Sequence, residues 1–375
     1  MAKDIPEEIS STQRELSRRR FLRNAGAVAS LPLLGSVAGI LGAEGAGAQT
    51  YKRNSDHPFF AAHPKYHFVL DYELTTNPFF TAIILAGQDF CALTGCTFAY
   101  VGSINSIVSE MVSAMKDAIA EKANGIGVAL IDDVAFNAPV DQALSAGIPV
   151  IAYNSDVSAG VVNNRMAYIG QNNLTAGAQV AKAALANTAV PLHKGDLVAG
   201  VIVTPGATSV QPRIDGAKPV FEAAGMKFIE VGTSTTVGAP EYNAIASWYT
   251  AHKDVKFMMS VDGGDSDALA TFMTNQKLHG KVGASGWDTG SPVIDAVASG
   301  ALTQTIDQQA YMQGFTTLLQ LFLYNISGSL IKPCNTDSGL EIINKANVAP
   351  YLTKTRFEGS STLQKTIAAP KSIPY

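Results

Sequence analysis

Charge, cysteine and long apolar runs are all scarce in this sequence. Only 15% of the 375 residues are charged, and the net charge is −4. No basic stripe is available to neutralise phosphates, so we expect no nucleic-acid partner. Beyond the N-terminal segment, no uninterrupted apolar run is long enough for a membrane-spanning helix. With 47% apolar residues the chain can bury one or more cores, and its length allows one to three domains.

Signatures of catalysis are also missing. The six histidines are scattered, and there is no HExxH pair, Gly-x-Ser-x-Gly elbow or phosphate-binding loop. Asp132 and Asp133 are paired carboxylates suited to acid/base work, but neighbours on an extended segment point to opposite sides. "DGGDSD" (262–267) resembles a calcium loop without its downstream Glu, so a turn and helix cap is favoured. We expect no enzyme, no cofactor and no metal site.

The N-terminus has the order of a processing signal. "SRRRFLRN" (17–24) places three arginines before two large apolar residues, and an apolar stretch rich in Gly and Ala follows at 25–42. Ala46 and Ala48 then form a small-x-small cleavage site. The segment resembles a twin-arginine export signal, which implies removal of 1–48 and a periplasmic location. An amphipathic N-terminal helix is the alternative.

The three cysteines leave the disulfide state open. Export favours an oxidising compartment, in which disulfides persist. Cys91 is predicted late on the first helix and Cys96 at the start of the next strand. A bridge between them and two buried thiols are both compatible with this spacing. Cys334 stands alone.

From residue 66 onward, strand-like and helix-like segments alternate in two successive series. In the first series, helices are predicted at 78–93, beginning with Asn77 as cap, and at 104–123. The second series ends in a long helix at 310–326, and one more short strand is predicted within 339–348. Such alternation implies parallel sheets covered by helices on both faces. The predicted fold class is therefore α/β, with two doubly wound parallel sheets side by side.

Residues that follow the predicted strands are candidate ligand contacts, because ligands of open α/β sheets bind beyond the carboxyl ends of the strands. The candidates are Asn77, Phe79, Phe80, Asp132, Asn154, Asp156, Arg213, Asp262, Trp287, Asp288 and Gln308. Carboxylates, amides and a guanidinium pair well with hydroxyl groups. Aromatic rings cover the C–H face of a sugar. We predict a neutral polyhydroxyl ligand, with Phe79 or Phe80 as a wall of its site.

Each candidate also has an ordinary structural interpretation. A single Asp after a strand often caps a helix or a turn. Two phenylalanines at the start of a helix usually join the core, and Arg213 could form a surface ion pair. The number of polar residues at equivalent positions favours a binding site.

Several segments together resemble the type I periplasmic sugar-binding proteins, and among them the ribose-binding group, over about 66–348. "NPFF" (77–80) is similar to the motif after the first strand of that family, and "GIPVIAYNSD" (147–156) to its fourth-strand segment. Three longer segments carry the rest of the resemblance: "AYIGQNNLTAGAQVAKAAL" (167–185), "ATSVQPRIDGAKPVF" (207–221) and "ASGWDTGSPVIDAVASGALTQTIDQQAYMQG" (284–314).

The resemblance implies the periplasmic binding protein type I fold, a clamp of two lobes joined by three hinge crossings. The crossings are expected near 170, near 307 and within "GLEIINKANV" (339–348). The expected domains are a signal at 1–48, an extension at 49–65, lobe one at 66–170 plus 308–331, lobe two at 171–307 plus 332–350, and a tail at 351–375. The implied roles are stacking by Phe79 or Phe80, hydroxyl contacts from Asp132 and Asn154 in lobe one and from Arg213, Asp262 and Asp288 in lobe two, and a hinge position for Gln308.

The chain departs from the ribose-binding pattern at several of these positions. Asn154 and Ser155 stand where those proteins have an Asp-Arg pair, whose Arg grips a sugar hydroxyl and the ring oxygen. Asp262 replaces an Asn, and Trp287 replaces a Phe. No aromatic residue follows the strand predicted at 227–231. Ribose itself is therefore not the expected ligand, whereas another pentose, a hexose, a polyol or a furanosyl signal molecule stays open.

The expected function is capture of a sugar or sugar-like polyol by closure of the two lobes. The resemblance implies delivery to the permease of an ABC transporter, with its ATPase, by a monomeric protein. The alternative is a periplasmic sensing protein that presents a sugar or furanosyl signal to a receptor. A sugar-responsive repressor shares the fold but needs an N-terminal pair of DNA-binding helices, where this chain has the export signal.

Overall fold

The computed structural model describes residues 63–353, except Thr188 and Thr236. These residues lie within one compact unit, 58–375. The predicted signal at 1–48, most of the predicted extension and residues 354–375 of the predicted tail lie outside the described residues. In the described part of the chain, no helix combines the length and apolar character needed to cross a membrane.

Strands and helices alternate along most of the described chain. The strands are β1 His67–Tyr72, β2 Thr97–Gly102, β3 Gly125–Val128, β4 Val150–Tyr153, β5 Tyr168–Gly170, β6 Leu197–Ile202, β7 Lys227–Gly232, β8 Val255–Ser260, β9 Gly283–Ser285, β10 Gln304–Asp307, β11 Thr336–Asp337 and β12 Glu341–Asn344. The helices are α1 Phe80–Thr94, α2 Val108–Ala120, α3 Asn137–Ser145, α4 Asn173–Leu185, α5 Gln211–Ala223, α6 Ala239–Ala251, α7 Gly263–Asn275, α8 Ser291–Ser299 and α9 Ala310–Ile326, followed by a 3-10 turn at Ala349–Leu352.

The strands form two six-stranded sheets. The first has the order β11-β5-β4-β3-β1-β2, and the second has the order β12-β10-β9-β8-β6-β7. All neighbours are parallel except β12, which runs antiparallel to β10. We call the first sheet with its helices lobe one and the second lobe two. The predicted α/β class with two parallel-sheet lobes is confirmed.

Each sheet is buried on both faces, which explains the nearly continuous apolar runs of the strands. In β1, Phe68 and Leu70 pack on one face with residues of α1 and α9. Val69 points to the other face and packs with α2 and α3. Lobe two has the same arrangement, with one apolar cluster on each face of its sheet.

Three crossings connect the lobes, and hydrogen bonds hold them together. The Ser338 N–H donates to the Gly170 carbonyl at 3.0 Å. The Ser338 hydroxyl donates to the Gln308 carbonyl at 2.9 Å. The Gln171 amide donates to the Gly339 carbonyl at 3.0 Å. The crossings therefore meet in one bonded cluster at residues 170–171, 308 and 338–339.

Strand β11 differs from the predicted division of the C-terminal segment. The sequence placed all of 332–350 in lobe two, but β11 pairs with β5 in lobe one and only β12 joins lobe two. The crossing falls between them, close to the predicted "GLEIINKANV" region. A two-residue strand leaves no apolar period in the sequence, so its sheet could not be assigned from the pattern.

Two helices begin later than predicted. Helix α1 has Phe79 at its N-cap, without a side-chain cap, because the Asn77 side chain instead accepts from the Phe79 N–H at 3.0 Å. Helix α2 begins at Val108 rather than 104, because the Ser103 hydroxyl accepts hydrogen bonds from the N–H groups of residues 105 and 107. This holds 104–107 as a loop and leaves Ile104 exposed.

All three cysteines are free thiols. Cys96 is buried and Cys91 is half-buried. Burial raises the pKa of the Cys91 thiol, and the nearby Cys96 adds to the shift. Of the two alternatives left open by the sequence, the structure shows two separate thiols.

Candidate ligand-binding site

A small cavity lies between the two lobes, at the carboxyl ends of the strands. It is lined by eight of the eleven predicted contacts, namely Asn77, Phe79, Phe80, Asn154, Arg213, Asp262, Asp288 and Gln308. Glu73 and Ser209 also line it. Both lobes therefore contribute polar side chains to a single cavity.

The loop after β1 supplies the aromatic wall of the cavity. Phe79 and Phe80 are both buried, and their ring centroids are 5.0 Å apart in an edge-to-face arrangement. Phe80 also packs on Tyr72, with centroids 4.3 Å apart. Both phenylalanines thus belong to the core and to the cavity at once, so the structural and functional interpretations of "NPFF" hold together.

Asn77 connects this loop to lobe two. Its amide donates to an Asp262 oxygen at 3.3 Å, while its own oxygen accepts from the Phe79 N–H. One side chain therefore shapes the aromatic loop and also spans the cleft.

Arg213 is the guanidinium of the site, and its burial is nearly complete at 3% exposure. The Nε–H donates to Asn173 Oδ1 at 3.0 Å, and Nη1 donates to the Val261 carbonyl at 2.6 Å. The other terminal nitrogen, Nη2, donates to Gln308 Oε1 at 3.2 Å. Burial lowers the pKa of Arg213, and the negative charge of Asp288 opposes that shift. The alternative weighed for Arg213, a surface ion pair, does not hold, because the side chain is buried.

Trp287 packs against the guanidinium of Arg213. The guanidinium carbon lies 4.6 Å from the centre of the indole, a cation–π contact. Trp287 itself is fully buried and is not among the residues that line the cavity. Direct stacking of Trp287 on the ligand stays a prediction, and the structure gives it the separate task of positioning Arg213.

Gln308, on the second crossing, links the polar groups of both lobes. Its amide donates to Asp288 Oδ1 at 2.6 Å, and its oxygen accepts from Arg213. The Asn154 amide of lobe one points at the same oxygen at 3.5 Å, and at Gln313 Oε1 at 3.3 Å. A residue on a crossing between the lobes therefore lies in direct contact with side chains that surround the cavity.

Asp262 has two tasks at the start of α7. Its Oδ1 accepts from the N–H groups of Gly264 and Asp265 at 2.8 and 3.3 Å, which makes it the N-cap of the helix. Its Oδ2 is buried without a hydrogen-bond partner among the described residues. Burial raises the pKa of Asp262, and the hydrogen bonds from Asp265 and Gly264 oppose the shift.

Left-handed backbone conformations occur beside the cavity. Asn154, Asp288 and Gln309 have φ angles of 63°, 68° and 60°. Asn and Asp tolerate this region better than most residues. Such conformations persist where the surrounding structure holds them, and they concentrate at ligand sites.

Two of the predicted contacts, Asp132 and Asp156, lie outside the cavity lining. Asp132 Oδ1 accepts from the N–H groups of Val134 and Ala135, at 2.8 and 2.7 Å, and so caps a turn. Asp156 forms an ion pair with Arg165. Both have the ordinary partners that the sequence analysis weighed for an Asp after a strand, and their contact with a ligand stays a prediction.

Polar residues of the cavity lining that the sequence analysis did not select include Glu73 and Ser209. Glu73 stood within the segment read as the first strand, so it was not treated as a loop residue. Ser209 lies two residues before α5, within a loop whose only candidate was Arg213. Gln313 of α9 is not among the residues that line the cavity, but it contacts Asn154 and Gln308, and no pattern in the sequence indicated these contacts. Only the likeness of 207–221 to the family segment pointed toward Ser209.

Carboxyl groups outnumber cations around the cavity. Burial raises the pKa of Glu73 to about 7, although a hydrogen bond from Ser209 and the charge of Arg213 oppose the shift. Next to the site, burial raises the pKa of Glu241 to about 8. In the part of the chain that the structure describes, no three His, Cys, Asp or Glu residues are grouped to hold a metal ion. The carboxyl, amide and hydroxyl side chains of the cavity can form hydrogen bonds with the hydroxyl groups of a ligand.

Residues 68–324 match the family described as a periplasmic binding protein domain. The chain belongs to this family. A xylose/arabinose-binding protein of Sulfolobus acidocaldarius is 36% identical over 400 aligned residues, covering 99% of this chain and 96% of the relative. A D-ribose/D-allose-binding protein of Pseudomonas aeruginosa is 27% identical and covers 57% of this chain and 67% of its own length.

Solved structures of other periplasmic binding proteins have the same fold. One is an ABC transporter solute-binding protein of Burkholderia graminis in complex with D-arabinose. It superposes with a TM-score of 0.69 at 21% identity and covers 78% of this chain and 100% of its own. At that identity the likeness concerns the fold. Together with the family and the relatives, it confirms the prediction of a sugar-binding protein of the solute-binding type.

Proposed function

We propose that this periplasmic binding protein holds a neutral sugar of the pentose class in the cavity and hands it unchanged to the permease and ATPase of an ABC transporter. One observation carries the proposal: hydrogen-bonding side chains from both lobes line a single cavity, together with two phenylalanines. The pentose class is favoured by the relative that aligns over nearly the whole chain, which is named for xylose and arabinose.

Arg213 and Asp288 are the proposed central contacts. Arg213 carries five N–H groups, of which its partners in the protein use three. The second hydrogen of each terminal nitrogen is then available to a sugar hydroxyl. Asp288 accepts from hydroxyl groups, while Phe79 covers a C–H face of the ring.

Closure of the cleft is the proposed mechanism. Direct bonds already join the lobes, among them Asn77 to Asp262 and Ser155 to Thr208, whose hydroxyl oxygens lie 2.9 Å apart. A sugar that touches both lobes adds contacts that exist only in the closed form. It therefore shifts the equilibrium toward closure by the difference in contact energy between the two forms.

Isothermal titration calorimetry with D-xylose and L-arabinose tests this proposal. Removing one buried, charge-assisted partner costs roughly 1.5–3 kcal/mol, on the order of tenfold to a hundredfold in affinity. We expect that loss for Arg213→Ala and for Asp288→Ala. Lys218→Ala, an exposed position on the same helix as Arg213, serves as control and should bind like the wild type. Wild-type affinity in both cavity variants would refute the assignment of the site.

Export by the twin-arginine pathway, cleavage after Ala48 and a monomeric state belong to the same proposal. The arginines at 18–20, the apolar stretch and the small residues before Gln49 support it. Sequencing the N-terminus of the exported protein is the check. A mature chain that begins at Gln49 is expected, and an uncleaved chain that stays inside the cell would contradict the export route.

A further inference from the structure

Glu73 is the carboxyl group of the cavity that the sequence did not assign. It follows β1 directly and lines the cavity. Its Oε2 accepts a hydrogen bond from the Ser209 hydroxyl at 2.9 Å. Glu73 belongs to lobe one and Ser209 to lobe two, so this bond spans the cleft and exists only when the lobes are closed. Ser209 is almost fully buried, at 2% exposure.

Burial in the closed cleft disfavours the ionised form of Glu73. Arg213 of α5 and Asp262 at the start of α7 face it, and Asp288 lines the same cavity. One guanidinium therefore stands among three carboxyl groups. Burying charge without a matching partner is costly, and a carboxyl group in this position favours its neutral form. Burial raises the pKa of Glu73 to about 7 and the charge of Asp262 adds to the shift, whereas the Ser209 hydrogen bond and the charge of Arg213 oppose it.

We propose that Glu73 is a further ligand-binding residue, which contacts the sugar as a neutral carboxylic acid and takes up one proton from solvent as the lobes close. This inference rests on the proposed function, since it needs a sugar in the cavity. Ser209 holds the acid in place across the cleft.

A neutral carboxylic acid supplies a hydrogen-bond donor, which an ionised carboxylate lacks. Its carbonyl oxygen accepts from Ser209, while its hydroxyl donates to an oxygen of the sugar. A sugar ring oxygen only accepts hydrogen bonds, so an ionised carboxylate cannot serve it. Ser155 is not available for that contact, because its hydroxyl is already engaged by Thr208 and the Leu130 carbonyl.

The sign of the pH effect follows from the two states of the cleft. In the open cleft Glu73 faces water and keeps its ordinary pKa near 4.5, whereas in the closed cleft the pKa is about 7. The closed form therefore binds the proton more tightly, and closure is favoured at low pH. Affinity falls as pH rises from 4.5 to 7 and becomes constant above that range.

Calorimetry in two buffers of different ionisation enthalpy measures the proton directly. At about pH 6, wild-type protein should take up close to one proton for each D-xylose or L-arabinose bound. From about pH 5.5 to 7.5 its Kd should rise about 20-fold. Glu73→Gln keeps the shape and a donor but does not titrate, so it should take up almost no proton and have a nearly constant Kd. Glu121→Gln, at an exposed position of lobe one, should behave like the wild type.

The outcomes separate this inference from the proposed function. Sugar binding by the wild type without proton uptake would overturn the role of Glu73, and that measurement needs no folded variant. Equal proton uptake by the wild type and Glu73→Gln would assign the proton to another group and would also overturn it. Failure of the wild type to bind either sugar at any pH would instead contradict the proposed function.

Discussion

Asp71 is a carboxyl group buried in lobe one, in surroundings that disfavour its ionised form. It lies on β1, between β2 and β3, is fully buried, and neither carboxyl oxygen has a hydrogen-bond partner among the described residues. Burial raises the pKa of Asp71 well above its ordinary value. The folded protein therefore binds a proton at Asp71 more tightly than the unfolded chain does.

The stability of the protein should depend on pH through Asp71. The loss of folding stability caused by ionising Asp71 is absent below the pKa of Asp71 in the unfolded chain. It grows as pH rises toward the higher pKa in the folded protein. Asp71→Asn, which cannot ionise, should leave the Tm unchanged at about pH 4. At about pH 8 it should raise the Tm by at least about 2 °C, corresponding to roughly 1 kcal/mol. Thermal unfolding followed by circular dichroism checks this, with the exposed Asp117→Asn as control. An equal Tm change at both pH values would contradict the account.

For single residues, the sequence predicted that side chains following strands contact the ligand, and eight of these side chains line one cavity. The same rule selected Asp132, because a carboxylate that caps a turn and one that faces a ligand occupy the same place in the sequence. It could not select Glu73 or Ser209. Whether a side chain reaches the cavity depends on how the second lobe packs, which no local pattern encodes.

The pairing of helices α4 and α5 places the guanidinium of the site. A Cβ added at Gly177 would lie 1.9 Å from the Arg213 carbonyl oxygen, and one at Gly216 would lie 2.0 Å from the Leu174 carbonyl oxygen. The two helices therefore touch backbone to backbone through two glycines, a contact that only glycine allows. Their separation fixes the depth at which Arg213 enters the cavity.

Gly177→Ala should therefore weaken both stability and binding. The added methyl group must push α5 away, at a cost of about 1–3 kcal/mol, against which the better helix propensity of Ala returns at most about 1 kcal/mol. Sugar affinity should fall with it, because Arg213 moves. Gly232→Ala is the matched control, since its Cβ would meet only Pro205 Cγ at 3.6 Å. Chemical denaturation and calorimetry measure both effects, and a Gly177→Ala protein with wild-type stability would contradict this packing.

Elements with a clear apolar period were predictable, and short elements were not. The long helix predicted at 310–326 is α9 with the same bounds. Strand β11 has two residues and no period, so its place in lobe one came only from the folded structure. The hydrogen bonds to the Ser103 hydroxyl delay the start of α2 to Val108. The helical spacing of Ile104 and Ile107 predicts an earlier start.

For the whole molecule, the three crossings and the cavity form one connected system. Gln308 lies on a crossing and also contacts Arg213 and Asp288 at the cavity. Its backbone carbonyl is bonded to Ser338 of the third crossing. A ligand that orders the polar groups of the cavity thereby acts on the segments about which the lobes move, which is the physical link between binding and closure.

Small-angle X-ray scattering of the wild-type protein, with and without saturating D-xylose or L-arabinose, tests the central claim most directly. If a sugar closes the lobes, the radius of gyration decreases when the sugar is added, and Arg213→Ala needs roughly a tenfold to hundredfold higher sugar concentration for the same decrease. An unchanged radius of gyration for the wild type, at a concentration where calorimetry shows full occupancy, would contradict binding by closure.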